Sequence, residues 1–337
     1  MNDVDIVLPW VNGQEKDWNE KKNRYLANAN ELQLKCAVDS RYRVGVNLKL
    51  WFTSIEKCMP WVNKIFIVTD GQIPDFLNLN NPKIKVVFHE DFIPAQYLPT
   101  FNSNTIEMNV FRIEELSENF ILFNDDIFPL KYIRKEYFFK NELVCDEALE
   151  RIVAPKIREK MVNCFEYCKI NNMAVINKHF NKRSIQKKNF FKWYNLKYGK
   201  RVLRNICMSY FYDFDNFSNR HLANSFKKKT FKEIWEKEYE ILDTASKNKF
   251  RNYSDVSQYL AQAWQICGGE FYPRKTLGQS FLISDTNYKK IINQIKRKRY
   301  PIICLNDSME IKNYEEVMCE ISQSIENIFP NKSSFEL

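Results

Sequence analysis

Four short apolar runs constrain this chain more than any other feature. Asp5–Leu8, Lys64–Thr69, Ile84–Phe88 and Phe120–Phe123 each last four to six residues and then stop at polar or turn-forming residues, namely Pro9, Asp70-Gly71, His89-Glu90 and Asn124-Asp125-Asp126. Runs this short and this apolar read as strands buried on both faces. Helical patterns lie between them at Val46–Lys57 and Ser103–Ser117, the second with Asn102 or Ser103 at its cap. Strands alternating with helices predict an α/β fold built on a mostly parallel sheet. Ligands in such sheets collect outside the carboxyl ends of the strands.

The pattern changes near residue 150. Pro155 suits the first turn of a helix running to about Ile170, and a Lys-, Asn- and aromatic-rich stretch follows to about Asn219 with weak periodicity. This region reads as a basic helical insertion. Helical patterns return at Thr230–Glu238 and Ser254–Cys267, the latter stopped by Gly268-Gly269. A last apolar strand, Tyr300–Leu305, delivers Asn306-Asp307 at its end. The chain therefore divides into an α/β core over 1–150, the insertion over 151–220, and a C-terminal part over 221–330 that completes the site.

At 337 residues the chain can bury a core without metals or disulfides, and 51 basic against 42 acidic side chains leave a net charge of +9. That excess favours an anionic partner: nucleic acid, an anionic membrane surface or a phosphorylated substrate. The runs Lys187-Lys188, Lys227–Lys229 and Lys296–Arg299 are short and read as solvated helix faces. Nine scattered cysteines with no C-x-x-C pair suggest neither a disulfide framework nor a zinc ribbon, and Cys164 and Cys168, beside Met161 and Phe165, read as core. The first residues lack a cationic n-region and no apolar segment is long enough to span a bilayer. The expectation is a cytoplasmic protein, soluble or peripheral at the inner face of the membrane.

The strongest chemical signal is Phe120-Ile-Leu-Phe-Asn-Asp-Asp-Ile-Phe128, a buried strand ending in two adjacent carboxylates. Burying them is costly unless a divalent cation binds, and hard Mg²⁺ or Mn²⁺ takes carboxylate oxygens together with substrate phosphates. This is the logic of the acidic motif in nucleotide-sugar transferases, and the sheet is then of Rossmann-like, GT-A-like type. Asp5 and the turn Trp10-Val-Asn12-Gly13 form a second candidate, since a strand followed by a glycine turn can approach a nucleotide closely. Of the three histidines, His89 follows a strand, His179 lies in the insertion and reads as solvated, and His221 precedes a basic run. Arg251 offers a guanidinium able to fork a phosphate.

Several segments together resemble a known family, the Stealth proteins, which include bacterial capsular polysaccharide phosphotransferases and the catalytic subunit of the animal lysosomal-enzyme N-acetylglucosamine-1-phosphotransferase. Asp5–Gly13 resembles the first family block. Ser54–Pro74, Leu98–Glu107 and Leu116–Asp126 resemble the second, His221 with Lys229–Trp235 and Phe250–Asp255 the third, and Cys304–Asp307 the fourth. The resemblance implies Asp125, Asp126 and Asp307 as ligands of Mg²⁺ or Mn²⁺, and Asp5, Trp10, Asn12, Gly13, Asn102 and Ser103 as donor contacts. It implies catalytic roles for His221, Arg251, Asp126 and Asp307. The implied reaction passes a sugar-1-phosphate from a UDP-sugar to a hydroxyl of an acceptor oligosaccharide, free or lipid-linked, with UMP leaving.

Two rival readings remain open at this stage. A conventional metal-dependent glycosyltransferase shares the acidic motif but releases UDP. A nucleic-acid or membrane-binding module would use the basic excess, yet carboxylate clusters repel phosphate unless a metal intervenes. No nucleic-acid partner is therefore expected. Transfer at phosphorus is favoured by Arg251, His221 and Lys227–Lys229, which are expected to face Asp125 and Asp126 across one phosphate.

Overall fold

The computed structural model describes residues 3–27, 29, 34, 37, 42–43, 45–153, 164–307 and 311–337. Its strands in chain order are β1 (Val4–Pro9), β2 (Ile65–Thr69), β3 (Ile84–Phe88), β4 (Asn119–Leu122), β5 (Ile127–Pro129), β6 (Phe139–Lys140), β7 (Leu143–Asp146), β8 (Asn224–Lys227), β9 (Phe271–Pro273), β10 (Gly278–Leu282) and β11 (Ile302–Asn306). The central sheet runs β3-β2-β1-β4-β8. β1 pairs in parallel with β2 and with β4, β2 pairs in parallel with β3, and β8 closes the edge antiparallel to β4. The mostly parallel α/β sheet expected from the four apolar runs is thus present. Strand order reverses between β1 and β4, and their carboxyl ends flank the crevice where such sheets bind ligands.

Every residue of β2 and β4 is buried, as is β1 up to Leu8. Helices cover both faces of such strands, so the sequence shows continuous apolar runs instead of alternation. A second sheet, β10-β11-β5, grows from the end of β4. Asn124 O accepts from Ile127 N at 3.1 Å, closing the turn that carries Asp125 and Asp126, and Leu305 N donates to Asp126 O at 2.9 Å. The ends of β4 and β11 therefore meet. β6, β7 and β9 form a third sheet.

The helix Leu48–Cys58 starts where the Asn47 side chain accepts from Lys49 N at 3.0 Å, and it buries Trp51, Phe52 and Ile55. Trp51 meets Phe123 edge-on at 5.8 Å, supporting the residue that leads into the acidic turn. Two expected helices are shorter than their periodicity suggested. Ser103–Asn109 tightens into a 3-10 turn at Val110–Arg112, after which Lys228 Nζ donates to Ile113 O at 2.7 Å and Asp5 Oδ2 accepts from Ser117 N at 2.8 Å. The helix expected from Ser254 begins only at Gln258. Asp255 gathers Asn102 Nδ2, Asn104 Nδ2, Asn248 Nδ2 and Asn252 N at 2.8, 3.1, 2.8 and 3.0 Å, which holds the preceding residues as a loop.

In the described part of the insertion, helices span Cys164–His179, Lys182–Lys188, Phe190–Trp193 and Val202–Met208. Pro155 and Met161 lie outside the described residues. Cys164 and Cys168 are both buried, as expected of core residues; Cys168 is a free thiol and Cys164 is disulfide-bonded. His179 is exposed, as expected, and it is also partnered: its Nε2 lies 2.5 Å from Glu238 Oε1 and its ring 4.9 Å from that of Trp264. No helix among the described residues is long and apolar enough to cross a membrane.

The insertion is pinned to the core by a fully buried ion pair, Lys182 Nζ to Glu150 Oε2 at 2.7 Å. Lys182 Nζ also donates to Met208 O, and Gln186 Nε2 to Glu150 Oε1. Lys182→Met leaves an uncompensated buried carboxylate and is expected to cost about 3–5 kcal/mol, whereas adding Glu150→Gln recovers part of that loss. Denaturant unfolding of the two variants checks this, and equal stabilities would remove the pair as a fastening.

Candidate active site

The carboxyl edge at the β1–β4 reversal gathers side chains from several distant segments. β4 supplies Asn124, Asp125 and Asp126. β8 runs antiparallel, so its start, not its end, lies beside them, and His221 just before it comes within 3.7 Å (Nε2) of Asp126 Oδ2. β11 places Cys304 opposite Ile127, and Cys304 Sγ donates to Asp126 Oδ2 at 3.2 Å. Ligand atoms of Asp126, His221 and Cys304 all lie within 4.8 Å of one another.

His221 is held tightly. Its φ of +48° lies in the left-handed region, which costs energy for a non-glycine residue. Asn219 Oδ1 accepts from His221 N at 2.9 Å and so braces the turn. On the ring, Nδ1 lies 3.3 Å from Tyr259 Oη and Nε2 lies 3.5 Å from Asn124 Nδ2. Burial pulls the His221 pKa down, but the hydrogen bond and charge of Asp126, helped by Glu107, outweigh it and leave the imidazole above its ordinary value.

Arg251 is oriented by Ser103, whose Oγ accepts from its Nη2 at 2.8 Å. Glu107, four residues along the same helix, is buried near Arg251, Gln258 and His221. Desolvation pushes it up to about 7 although Arg251, Gln258 and His221 favour its charged form. Asp125 is pushed to about 7 as well, by desolvation and then by the adjoining Asp126 charge. Asp126 Oδ1 is buried and has no hydrogen-bond partner among the described residues. Asp307 pairs with Arg43 Nη2 at 3.1 Å, and its charge and that of Asp125 both act on Tyr314, which burial raises to about 12.

The turn after β1 reaches the same edge. Trp10 N donates to Val68 O at 2.8 Å, while Asn12 N donates to Gln72 Oε1 at 2.9 Å and Gln72 Nε2 returns to Asn12 O at 3.0 Å. Gly13 N donates to Tyr42 O at 3.0 Å, and a Cβ on Gly13 would lie only 2.3 Å from that oxygen, so the turn requires glycine. Asn102 is a helix cap whose Oδ1 accepts from Asn104 N at 3.1 Å and whose Nδ2 binds Asp255, so it works as a brace beneath Ser103.

Two expectations are corrected. Asp5 lies near the amino end of β1, paired in register with Phe120, several residues before the edge that carries Asp125. Its oxygens accept from Asn63 Nδ2, Lys64 N and Ser117 N at 2.8, 3.0 and 2.8 Å, and it is fully buried; it ties strand starts together and has no access to a donor. Lys227–Lys229 also face away, because Lys227 pairs with Asn119 at the far end of β4. Lys228 caps carbonyls of residues 113–116 and Lys229 pairs with Glu270 at 2.7 Å. His89, buried at the end of β3 on the opposite edge of the sheet, is lowered to about 4 by burial and is not part of this group. Sequence reasoning missed Glu107, Tyr259 and Cys304.

Residues 41–146 match the family model for Stealth protein CR2, conserved region 2, a span that includes Asn102, Ser103, Glu107, Asp125 and Asp126. The whole chain is 41% identical over 337 residues to a capsular polysaccharide phosphotransferase WcwK of Streptococcus pneumoniae, covering 100% of this chain and 98% of that one. It is 32% identical to an exopolysaccharide phosphotransferase cps2G of Lactiplantibacillus plantarum, covering 99% and 96%. It is 33% identical to a receptor polysaccharide phosphotransferase WefC of Streptococcus gordonii, covering 99% of each chain. Among solved structures, the galactosyltransferase LgtC with donor and acceptor sugar analogues aligns over 95% of each chain at 12% identity, with a TM-score of 0.38.

Proposed function

The chain belongs to the Stealth family of bacterial capsular and exopolysaccharide phosphotransferases, and on that premise we propose that it moves a hexose- or N-acetylhexosamine-1-phosphate from a UDP-sugar to a hydroxyl of an acceptor glycan, releasing UMP. The observation that carries this reading is the meeting of His221, from the second half of the chain, with Asp126 at the β1–β4 reversal, with the charges of Arg251 and Glu107 acting on the same imidazole. Residues 1–150 then hold the nucleotide-sugar, 151–220 form an accessory insertion, and 221–330 complete the phosphate site. The acceptor, free or lipid-linked, is met at the inner face of the membrane.

The residues present suit a divalent cation. Asp126 offers a buried oxygen with no partner among the described residues, Asp125 is crowded by its neighbour's charge, and a third carboxylate, Asp307, follows β11 and is paired with Arg43. These are hard oxygen donors suited to Mg²⁺ or Mn²⁺, which would neutralise charge on the donor diphosphate when bound. The remaining work falls to the chain's own side chains. Arg251, aimed by Ser103, offers paired donors to the equatorial oxygens of the transferred phosphate. His221 accepts the proton of the acceptor hydroxyl, Tyr259 orients its ring, and the Glu107 charge raises its basicity. The acceptor oxygen bonds to the β-phosphorus, the bond from that phosphorus to the bridging oxygen breaks, and UMP leaves with the electron pair. Positioning and charge neutralisation carry most of the acceleration in such transfers.

A conventional glycosyltransferase would use the same acidic pair but cleave the sugar–oxygen bond. Incubation with Mg²⁺, a panel of UDP-sugars and short acceptor glycans separates the two. UMP and one phosphodiester per transferred sugar, seen by phosphorus NMR, are expected. UDP with a phosphate-free glycosidic product would overturn the assignment.

A further inference from the structure

Residues 167–212 carry eleven Lys and Arg and no Asp or Glu, against +9 for the whole chain, so the rest of the protein is slightly acidic. The same segment exposes apolar side chains that a purely solvated face would hide. Phe191 is 84% exposed, Leu196 90% and Tyr210 89%. On the helix Val202–Met208, Asn205 and Met208 face the core while Leu203 and Ile206 face outward. With Tyr210 they fall at i, i+3 and i+7, one stripe on the outer surface.

This surface is held as a unit. Lys182 Nζ donates to Met208 O at 2.7 Å, Asn205 Nδ2 to Trp193 O at 2.7 Å, and the Arg183 guanidinium stacks over Tyr212 at 4.1 Å. Four of the cations are engaged with carboxylates: Lys169 with Glu166, Lys178 with Glu238, Lys182 with Glu150, and Arg201 with Glu147. Lys187, Lys188, Lys200 and Arg204, in the same segment, are exposed.

We propose that this face docks on an anionic lipid bilayer, resting on the reading above only for which side of the membrane it meets. Cations with no intervening carboxylates are attracted to anionic headgroups. Exposed Leu196, Leu203 and Ile206 gain nothing from a polyanion in water, whereas burial at the acyl boundary removes them from solvent, and the tyrosines suit the headgroup level. A soluble polyanion is the alternative occupant, and the apolar residues argue against it.

The test uses the full-length protein in sedimentation with phosphatidylcholine vesicles, with or without phosphatidylglycerol. Two variants are compared, Phe191→Ser/Leu196→Ser/Tyr210→Ser and Lys187→Gln/Lys188→Gln/Lys200→Gln, all at exposed positions. Binding to the anionic vesicles alone is expected, and each triple variant should weaken it by about tenfold or more, while transfer to a short water-soluble acceptor is unchanged. No binding to anionic vesicles would overturn the proposal. So would binding that the apolar variant leaves intact, since that outcome assigns the face to a polyanion. Absence of transfer by a wild-type protein that still binds vesicles would count against the transferase reading alone.

Discussion

Replacing Asp126 with asparagine is expected to lower turnover roughly 10³-fold or more while leaving the thermal midpoint close to wild type. The carboxylate stands at the centre of the site, with Cys304 Sγ at 3.2 Å and His221 Nε2 at 3.7 Å from one oxygen and no partner among the described residues on the other. Its charge does two things that can be read separately from activity. It raises His221 against the downward pull of burial, and it adds to the desolvation that holds Asp125 near 7. Removing it leaves burial and the Arg251 charge opposed by Glu107 alone, so the imidazole should titrate lower than in wild type, and Asp125 should move back toward the ordinary carboxylate range. Stability should hold because the change relieves repulsion between adjacent carboxylates. Imidazole NMR of the metal-free protein reports the first shift. An unchanged His221 titration, or turnover near wild type, would remove Asp126 from the centre of the site.

The central sheet was legible because its strands are buried on both faces, which leaves Ile6-Val7-Leu8 and Phe120-Ile-Leu as unbroken apolar runs. The acidic turn was legible for the related reason that two carboxylates flanked so closely by Phe and Ile have no solvated explanation. Direction is what the runs do not encode. Asp5 and Asp125 both adjoin strands, but one opens β1 and the other follows β4, and only parallel pairing puts them at opposite ends. Lys227–Lys229 were misjudged for the converse reason: β8 is antiparallel, so its basic end lies far from the residues that His221 touches.

The missed residues share a different cause. Tyr259 and Cys304 look like core in the sequence, the one in an apolar helix and the other inside a buried strand, and only the pairing of β11 with β5 brings the thiol to Asp126. Glu107 did leave a signal. It is an ionisable residue between Ile106 and Met108 on a helix whose neighbours Asn104, Thr105 and Met108 are buried, a placement that needs charged partners. Those partners, Arg251 and His221, come from loops whose shape depends on Asp255 and Asn219 collecting backbone and amide donors, information that resides in tertiary structure.

His221→Ala is expected to lose about 10²–10⁴-fold in turnover with donor binding retained, the range for a removed general acid–base group. The site's construction argues for a proton-handling role over a packing one. A histidine forced to positive φ, braced by Asn219 and aligned by Tyr259 on one nitrogen, presents its other nitrogen toward Asp126 and the crevice. The companion variant Glu107→Gln separates chemistry from structure. Glu107 lifts the His221 pKa, so removing its charge lowers that pKa, the neutral imidazole becomes available at lower pH, and the acid limb of the pH–rate profile moves to lower pH. A purely structural Glu107 would change the amplitude of the profile and leave the limb in place. If the limb does not move and His221→Ala turns over normally, His221 is a brace for the acidic turn, and Arg251 becomes the group that acts at phosphorus.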